Sequence, residues 1–231
     1  MQTKYEYYYN NVPEKGLCRN NLIYTSLISN DKKTFCQWYY NDDGYHGGHN
    51  QVVDPRLMNE KFEREVRGLT LMKELGYGHL IPEFDVDIKE RKVYLTIDGP
   101  DMWELAGCTG KDYSQVVPSW EDQMLEIMQA HKDIGMYKYS LHPSSYFIVD
   151  GQLKSMNYFF TYTDNDNNIS VNDVLSHISE DRRANLLPKL EAAGMKVDEP
   201  QTFTNLQLLA FDSFKNNFNN DIMEKAKEIY V

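Results

Sequence analysis

Asp150-Gly151 is the dipeptide that most constrains this chain. Both positions favour the positive φ of a type I′ turn, and such a pair between apolar runs closes a tight β-hairpin. Tyr146 to Val149 is a short run of β-formers ahead of it, and Leu153 to Tyr158 is the returning strand. The spacing therefore predicts a hairpin over 146–158. A loop, Tyr137 to Ser145, precedes it, and before that runs a long helix from Ser119 to about Gly135. Trp120, Met124, Ile127, Met128, His131 and Ile134 form the helix's buried stripe at helical spacing. Ser119 is the expected N-cap and Gly135 the stop. His131 reads as a satisfied, half-buried ring rather than a catalytic one.

Upstream, Leu22 to Ile28 and Thr34 to Tyr40 read as strands separated by the turn 30–33. Asn41 to Pro55 is a loop in which His46 and His49 flank two glycines. Two His with no third ligand at suitable spacing describe an exposed loop better than a metal site. A helix is expected over 56–75, with Phe62, Val66, Leu69 and Met72 on its buried face and Gly76 as terminator. Leu80 to Asp87 and Lys92 to Ile97 read as an antiparallel pair joined by the charged turn 88–91. Asp98-Gly99-Pro100 breaks the chain, and a short helix over 101–105 and a loop over 106–117 follow. After the hairpin come an aromatic stretch, 159–162, and a polar loop, TDNDNN. That loop has Ile169 where a calcium loop needs Gly and Leu175 where it needs Glu, so calcium is rejected. Helices are expected over 171–178, 180–193, 204–218 and 221–230. Phe203, Leu206, Leu209, Phe211, Phe214 and Phe218 supply their buried side.

Helix, His-Pro loop, hairpin, then a polar residue followed by aromatics resembles the catalytic core of the protein-kinase-like superfamily. The likeness is to small-molecule and bacterial-type kinases, whose loop reads H-G-D-L-H-P-x-N and whose later motif reads I-D-F or I-D-Y. Leu141, His142 and Pro143 match. Lys138 stands at the loop's first His, Ser140 at the catalytic Asp, and Ser145 at the metal-binding Asn. Asn157 stands at the metal-binding Asp, with Tyr158 as its aromatic neighbour. Gln37 takes the place of the strand Lys that pairs ATP phosphates, and Glu65 is the candidate for that Lys's helix partner. With no Lys to pair, Glu65 is expected to be a solvated helix charge. No glycine-rich phosphate loop is present in the strand region.

The resemblance implies an α+β, two-lobed protein-kinase-like fold. Residues 1–98 would form a small antiparallel-sheet lobe with one helix, and residues 99–231 a mainly helical lobe. It also implies an inert site. Phosphoryl transfer leans on a carboxylate near the attacking hydroxyl and on Mg²⁺ held by Asp and Asn, and Ser140, Ser145 and Asn157 are neutral. The expectation is a pseudokinase with no catalytic residue, no cofactor and no metal, working through contacts with other proteins. The Asn- and Tyr-rich sequence and the degenerate loop resemble proteins of large tailed phages, so the partners would lie within a virus particle and the protein in host cytoplasm or virion. The competing expectations are a divergent kinase or other transferase in which Asp150, His142 or Glu65 takes over a role, and an α+β protein whose likeness to kinases is accidental. Against the enzyme, Asp150 is accounted for by the turn, His142 supports the loop in that family, and no nucleophile elbow appears.

Composition narrows the partners. A net charge of −11 argues against general nucleic-acid binding, and seventeen Tyr among 231 residues favour contact surfaces. No apolar run approaches the roughly 18 residues of a membrane span, and no signal peptide is expected. Cys18, Cys36 and Cys108 are scattered and odd in number, as free thiols in a reducing compartment would be.

Overall fold

The computed structural model describes residues 5–7, 25–29, 33–39, 45–46, 51–52, 55–98, 101–102, 113–114, 117–164, 166, 169–175, 180–192, 194–218 and 221–230. The loop expected around His46 and His49, the helix expected over 101–105 beyond Met102, and Cys18 and Cys108 lie outside the described side chains or residues.

The architecture is α+β. Strands β1 (Tyr5–Tyr7), β2 (Thr25–Ser29), β3 (Thr34–Trp38), β6 (Phe84–Asp87) and β7 (Lys92–Thr96) form one antiparallel sheet, ordered β1-β2-β3-β7-β6. The two-residue strands β4 (Tyr45–His46) and β5 (Gln51–Val52) pair with each other. Strand β3 lies between β2 and β7, with Cys36 opposite both Leu27 and Tyr94. Its consecutive Phe35, Cys36 and Gln37 are all buried, as a strand covered on both faces requires. Period-two alternation puts Phe35 and Gln37 on one face, and both point to the helical half of the chain. Phe35 meets the ring of Phe147 edge-on at 5.3 Å.

Helix α1 (Pro55–Met72) follows, and continues as a wide turn over Lys73–Tyr77 in which Gly76 takes φ 94°. The glycine terminates the helix as expected, because a left-handed residue leaves the ladder there. The strand expected from Leu80 starts only at Phe84: Gly78–Leu80 is a 3₁₀ turn, and Pro82, without an N–H, precedes the pairing.

Helices α2 (Trp120–Asp133), α3 (Val171–Leu175), α4 (Glu180–Ala192), α5 (Phe203–Phe214) and α6 (Ile222–Tyr230) make up the helical half. Ser119 does not cap α2 through its side chain. Its Oγ instead accepts from Gln123 Nε2 at 3.0 Å. The hairpin β9 (Tyr146–Val149) and β10 (Gln152–Ser155) closes through Asp150 at φ 52° and Gly151 at φ 71°, the two positive angles that the sequence requires. The returning strand is shorter than expected. Asn157 sits in the left-handed region at φ 64°, which ends the pairing and starts a 3₁₀ turn over Tyr158–Phe160. A further pair, β8 (Met136–Lys138) with β11 (Thr161–Thr163), arises where only loop and aromatic stretch were expected. One continuous apolar core runs through sheet, α1, hairpin and helices. Among the described residues no helix is long and apolar enough to cross a membrane.

Candidate functional site

The sheet, α1, the His-Pro loop and the turn after β10 deliver their polar side chains to one buried spot. Gln37 Nε2 donates to Asn157 Oδ1 at 2.9 Å across 120 residues of sequence. Asn157 Nδ2 donates to Ser145 Oγ at 3.1 Å and to the Ser144 carbonyl at 3.4 Å. Ser145 Oγ and Ser140 Oγ are hydrogen-bonded at 3.0 Å. The structure thus brings together Gln37, Asn157, Ser145 and Ser140 in a single chain of neutral hydrogen bonds. Gln37 and Ser145 are fully buried, Asn157 is 3% exposed and Ser140 8%. The loop is held from behind: Ser145 N–H donates to the His142 carbonyl at 2.8 Å, and Met156 N–H to the Ser145 carbonyl at 2.9 Å. The His142 side chain supports the same loop. Its Nδ1 accepts from the Ser144 N–H at 3.2 Å and so caps the Pro143–Ser145 turn.

Glu65 corrects the expectation of a solvated helix charge. It is fully buried, and its two carboxylate oxygens accept from the N–H of Asn157 at 3.1 Å and of Phe159 at 2.9 Å. The reason lies in its phase: Met58, Phe62, Glu65, Leu69 and Met72 share one helix face, so Glu65 is carried into the core with the apolar stripe. The orphan N–H groups of the turn at Asn157 need acceptors, and a carboxylate supplies two. Burial pushes its pKa up to about 7, against the pull of Lys138 and of the backbone N–H groups.

Lys138, on β8, was read only as a replacement for the loop's first His. It is the cation of this buried region. Its ammonium donates to the Ser140 carbonyl and lies 5.3 Å from the Tyr146 ring centre and 5.5 Å from that of Tyr158. Burial pulls its pKa down to about 7, while the Glu65 charge acts in the opposite sense. Gln207 of α5 fixes the strand by exchanging bonds of 2.8 Å and 3.1 Å with the Lys138 backbone. His131 is more buried than expected and satisfied by the Tyr158 hydroxyl at 3.1 Å, with its pKa lowered to about 3 by burial. Tyr146 and Tyr158 fill the centre with no exposed surface. A signal for Lys138 was present in the alternation of Met136 and Lys138 inward with Tyr137 half out, but a three-residue strand is too short to announce itself. Lys61 is the other cation that sequence reasoning missed. It is buried against the Phe160 ring at 4.9 Å, and burial lowers its pKa to about 7.

The donor set does not fit a divalent cation. A hard cation needs several free oxygens, preferably charged. Here Asn157 Oδ1 accepts from Gln37, the Ser145 and Ser140 hydroxyls bond to each other, and the one unpartnered oxygen, Gln37 Oε1, is a single neutral amide oxygen. Among the described residues no three His, Cys, Asp or Glu side chains converge as metal ligands. The polar loop that only superficially suggested calcium has another role. Asp166 accepts from the Thr163 N–H at 2.7 Å and from Arg67 at 2.8 Å, which pins the loop to α1. Cys36 is a free, buried thiol, its pKa pushed up to about 12 by burial. No protein-family model matches the chain, and no curated protein matches it.

Proposed function

We propose that this chain is a kinase-like protein without phosphoryl-transfer chemistry, which works as a binding or assembly module for other proteins, within a virus particle on the phage resemblance. The observation that carries the reading is the closed chain from Gln37 through Asn157 and Ser145 to Ser140. The resemblance assigns these four positions to phosphate, metal and base, and they lie within hydrogen-bond reach of one another although spread from β3 to the turn after β10. Their side chains are neutral and bond to one another, with Gln37 Oε1 the one buried atom of the four left without a partner, so neither anionic metal ligands nor a general base is offered there. Glu65 supports the same reading. It comes from the helix after β3, meets this cluster, and lends its carboxylate to backbone N–H groups rather than to a nucleotide-binding Lys.

The divergent-transferase reading would need perturbed titrating groups in an open pocket. Glu65 and Lys138 are perturbed but wholly buried. A thermal-shift titration with ATP, with and without Mg²⁺ or Mn²⁺, separates the two. A ligand of the folded state at a hundredfold excess over Kd adds about 2.7 kcal/mol. We expect no shift under any combination. A metal-dependent rise in Tm would overturn the inert assignment of Ser140, Ser145 and Asn157.

A further inference from the structure

On the side of the helical half formed by α2 and α6 lies an open groove of about 620 Å³. Leu125 from α2 and Ile229 from α6 line it and are half-buried against the core. Asp122 and Glu126 from α2 and Glu228 from α6 line it as exposed side chains. The one cation of the lining, Lys225, has a carboxylate of its own, with Glu121 Oε2 at 3.5 Å. Among the described residues the Asp122 and Glu228 carboxylates have no ion-pair or hydrogen-bond partner, and Glu126 has only His79 at 3.4 Å. The Lys132 ammonium lies at the groove's edge on the Ile229 carbonyl, yet three carboxylates outnumber it, so the groove carries net negative charge beside Leu125 and Ile229, on a chain whose net charge is −11.

The spacing of the charges selects the occupant. The carboxylates do not converge as metal ligands with any third group among the described residues, so a single divalent cation is not the match. Nucleic acid and anionic lipid surfaces are repelled by the same charges. Several separate cations flanking an apolar side chain satisfy both parts of the groove at once, as in helix-in-groove recognition. We propose that the α2–α6 groove docks a cationic amphipathic segment of a partner protein, its Lys or Arg side chains on Asp122, Glu126 and Glu228 and an apolar residue between Leu125 and Ile229. The inference rests on the contact-module reading and names the chemistry of that module's partner.

The test is fluorescence anisotropy of the full chain with a labelled amphipathic Lys/Leu peptide, beside a peptide of the same composition with its Leu residues scrambled. The triple variant Asp122→Asn, Glu126→Gln, Glu228→Gln changes only exposed side chains, and its circular dichroism melt checks the fold. It is expected to weaken binding about tenfold or more and to flatten the salt dependence. Leu125→Ser is expected to weaken binding with the salt dependence kept. Equal affinity of the triple variant overturns the proposal. So does equal binding of the scrambled peptide, equal competition by spermine, or self-association of the chain that the triple variant abolishes. The ATP titration reports separately on the kinase-like site. A nucleotide shift would overturn the inert reading and leave the peptide result intact, whereas absent peptide binding without a nucleotide shift would overturn the groove alone.

Discussion

Lys138 shows how one residue can set a pH dependence. Its ammonium is fully buried, and its pKa is depressed from the ordinary lysine value to about 7 by lost hydration. The unfolded chain therefore holds a proton that the folded chain has released at pH values between those two. Stability from this group is fully present above the unfolded pKa and is lost as pH falls through the folded one. Lys138→Met keeps the aliphatic stem and removes the titration. The stability of the wild type relative to this variant is expected to rise between about pH 7 and about pH 10, read from urea midpoints across the range. A constant difference over that range would mean that the ammonium keeps its water in the folded state. Glu65 acts in the opposite direction at lower pH. Its raised pKa gives stability that is present below the ordinary carboxylate range and lost as pH rises to about 7. Removing the ammonium also takes away the charge that holds the Glu65 pKa down, so in the Met variant Glu65 titrates higher and adds to the difference above neutrality in the same direction. Comparing Glu65→Gln with the double variant Glu65→Gln, Lys138→Met isolates the Lys138 part.

At the scale of elements, α1 decides whether the site forms. Its inner face sends Glu65 to the turn at Asn157, and its outer face ties Arg64 to the Thr161 carbonyl at 3.0 Å and Arg67 to Asp166. Between them Gly68 lets the helix approach: a Cβ there would stand 2.4 Å from Tyr158 Cβ. In most exposed helices Gly→Ala gains about 1 kcal/mol. Here Gly68→Ala is expected to cost about 1–3 kcal/mol, because Tyr158 is fully buried and has nowhere to move. A urea midpoint at or above the wild type would show that α1 does not sit this close. Part of this was legible in the sequence: the Asp150-Gly151 turn and the stripe of α2, while Gln37, Ser140, Ser145 and Asn157, singled out from the sequence, meet in the fold. The burial of Glu65 was not, because a carboxylate in phase with Phe62 and Leu69 reads as a break in the stripe until the N–H groups that it serves are seen. Gly68 was equally silent, since its meaning depends on Tyr158, far away in the sequence. The short β8–β11 pair was hidden by its length, which leaves too few residues for a period to be counted.

For the whole molecule, the question is whether sheet and helices unfold as one. The apolar core is continuous, and the link between the halves is both apolar and polar: Phe35 against Phe147, and Gln37 bonded to Asn157. Asp101 adds a β-bridge to Phe147 from the segment that leaves the sheet. Breaking the link would expose the Phe147 face and leave Asn157 Oδ1 without its donor, so partial opening is costly from either side. Native-state hydrogen exchange should therefore report the same opening free energy for amides of β7 and of α2, with the same dependence on urea. Phe147→Ala removes the apolar half of the link. It is expected to cost about 3–5 kcal/mol in global stability and to let β7 exchange before α2. If β7 already exchanges at a much lower free energy than α2 in the wild type, the halves are independent units and the Gln37–Asn157 bond is incidental to stability. Equal protection would mean that the neutral network stands where the core needs it, joining the sheet to the hairpin turn at a cost that a charged, solvent-open site could not meet.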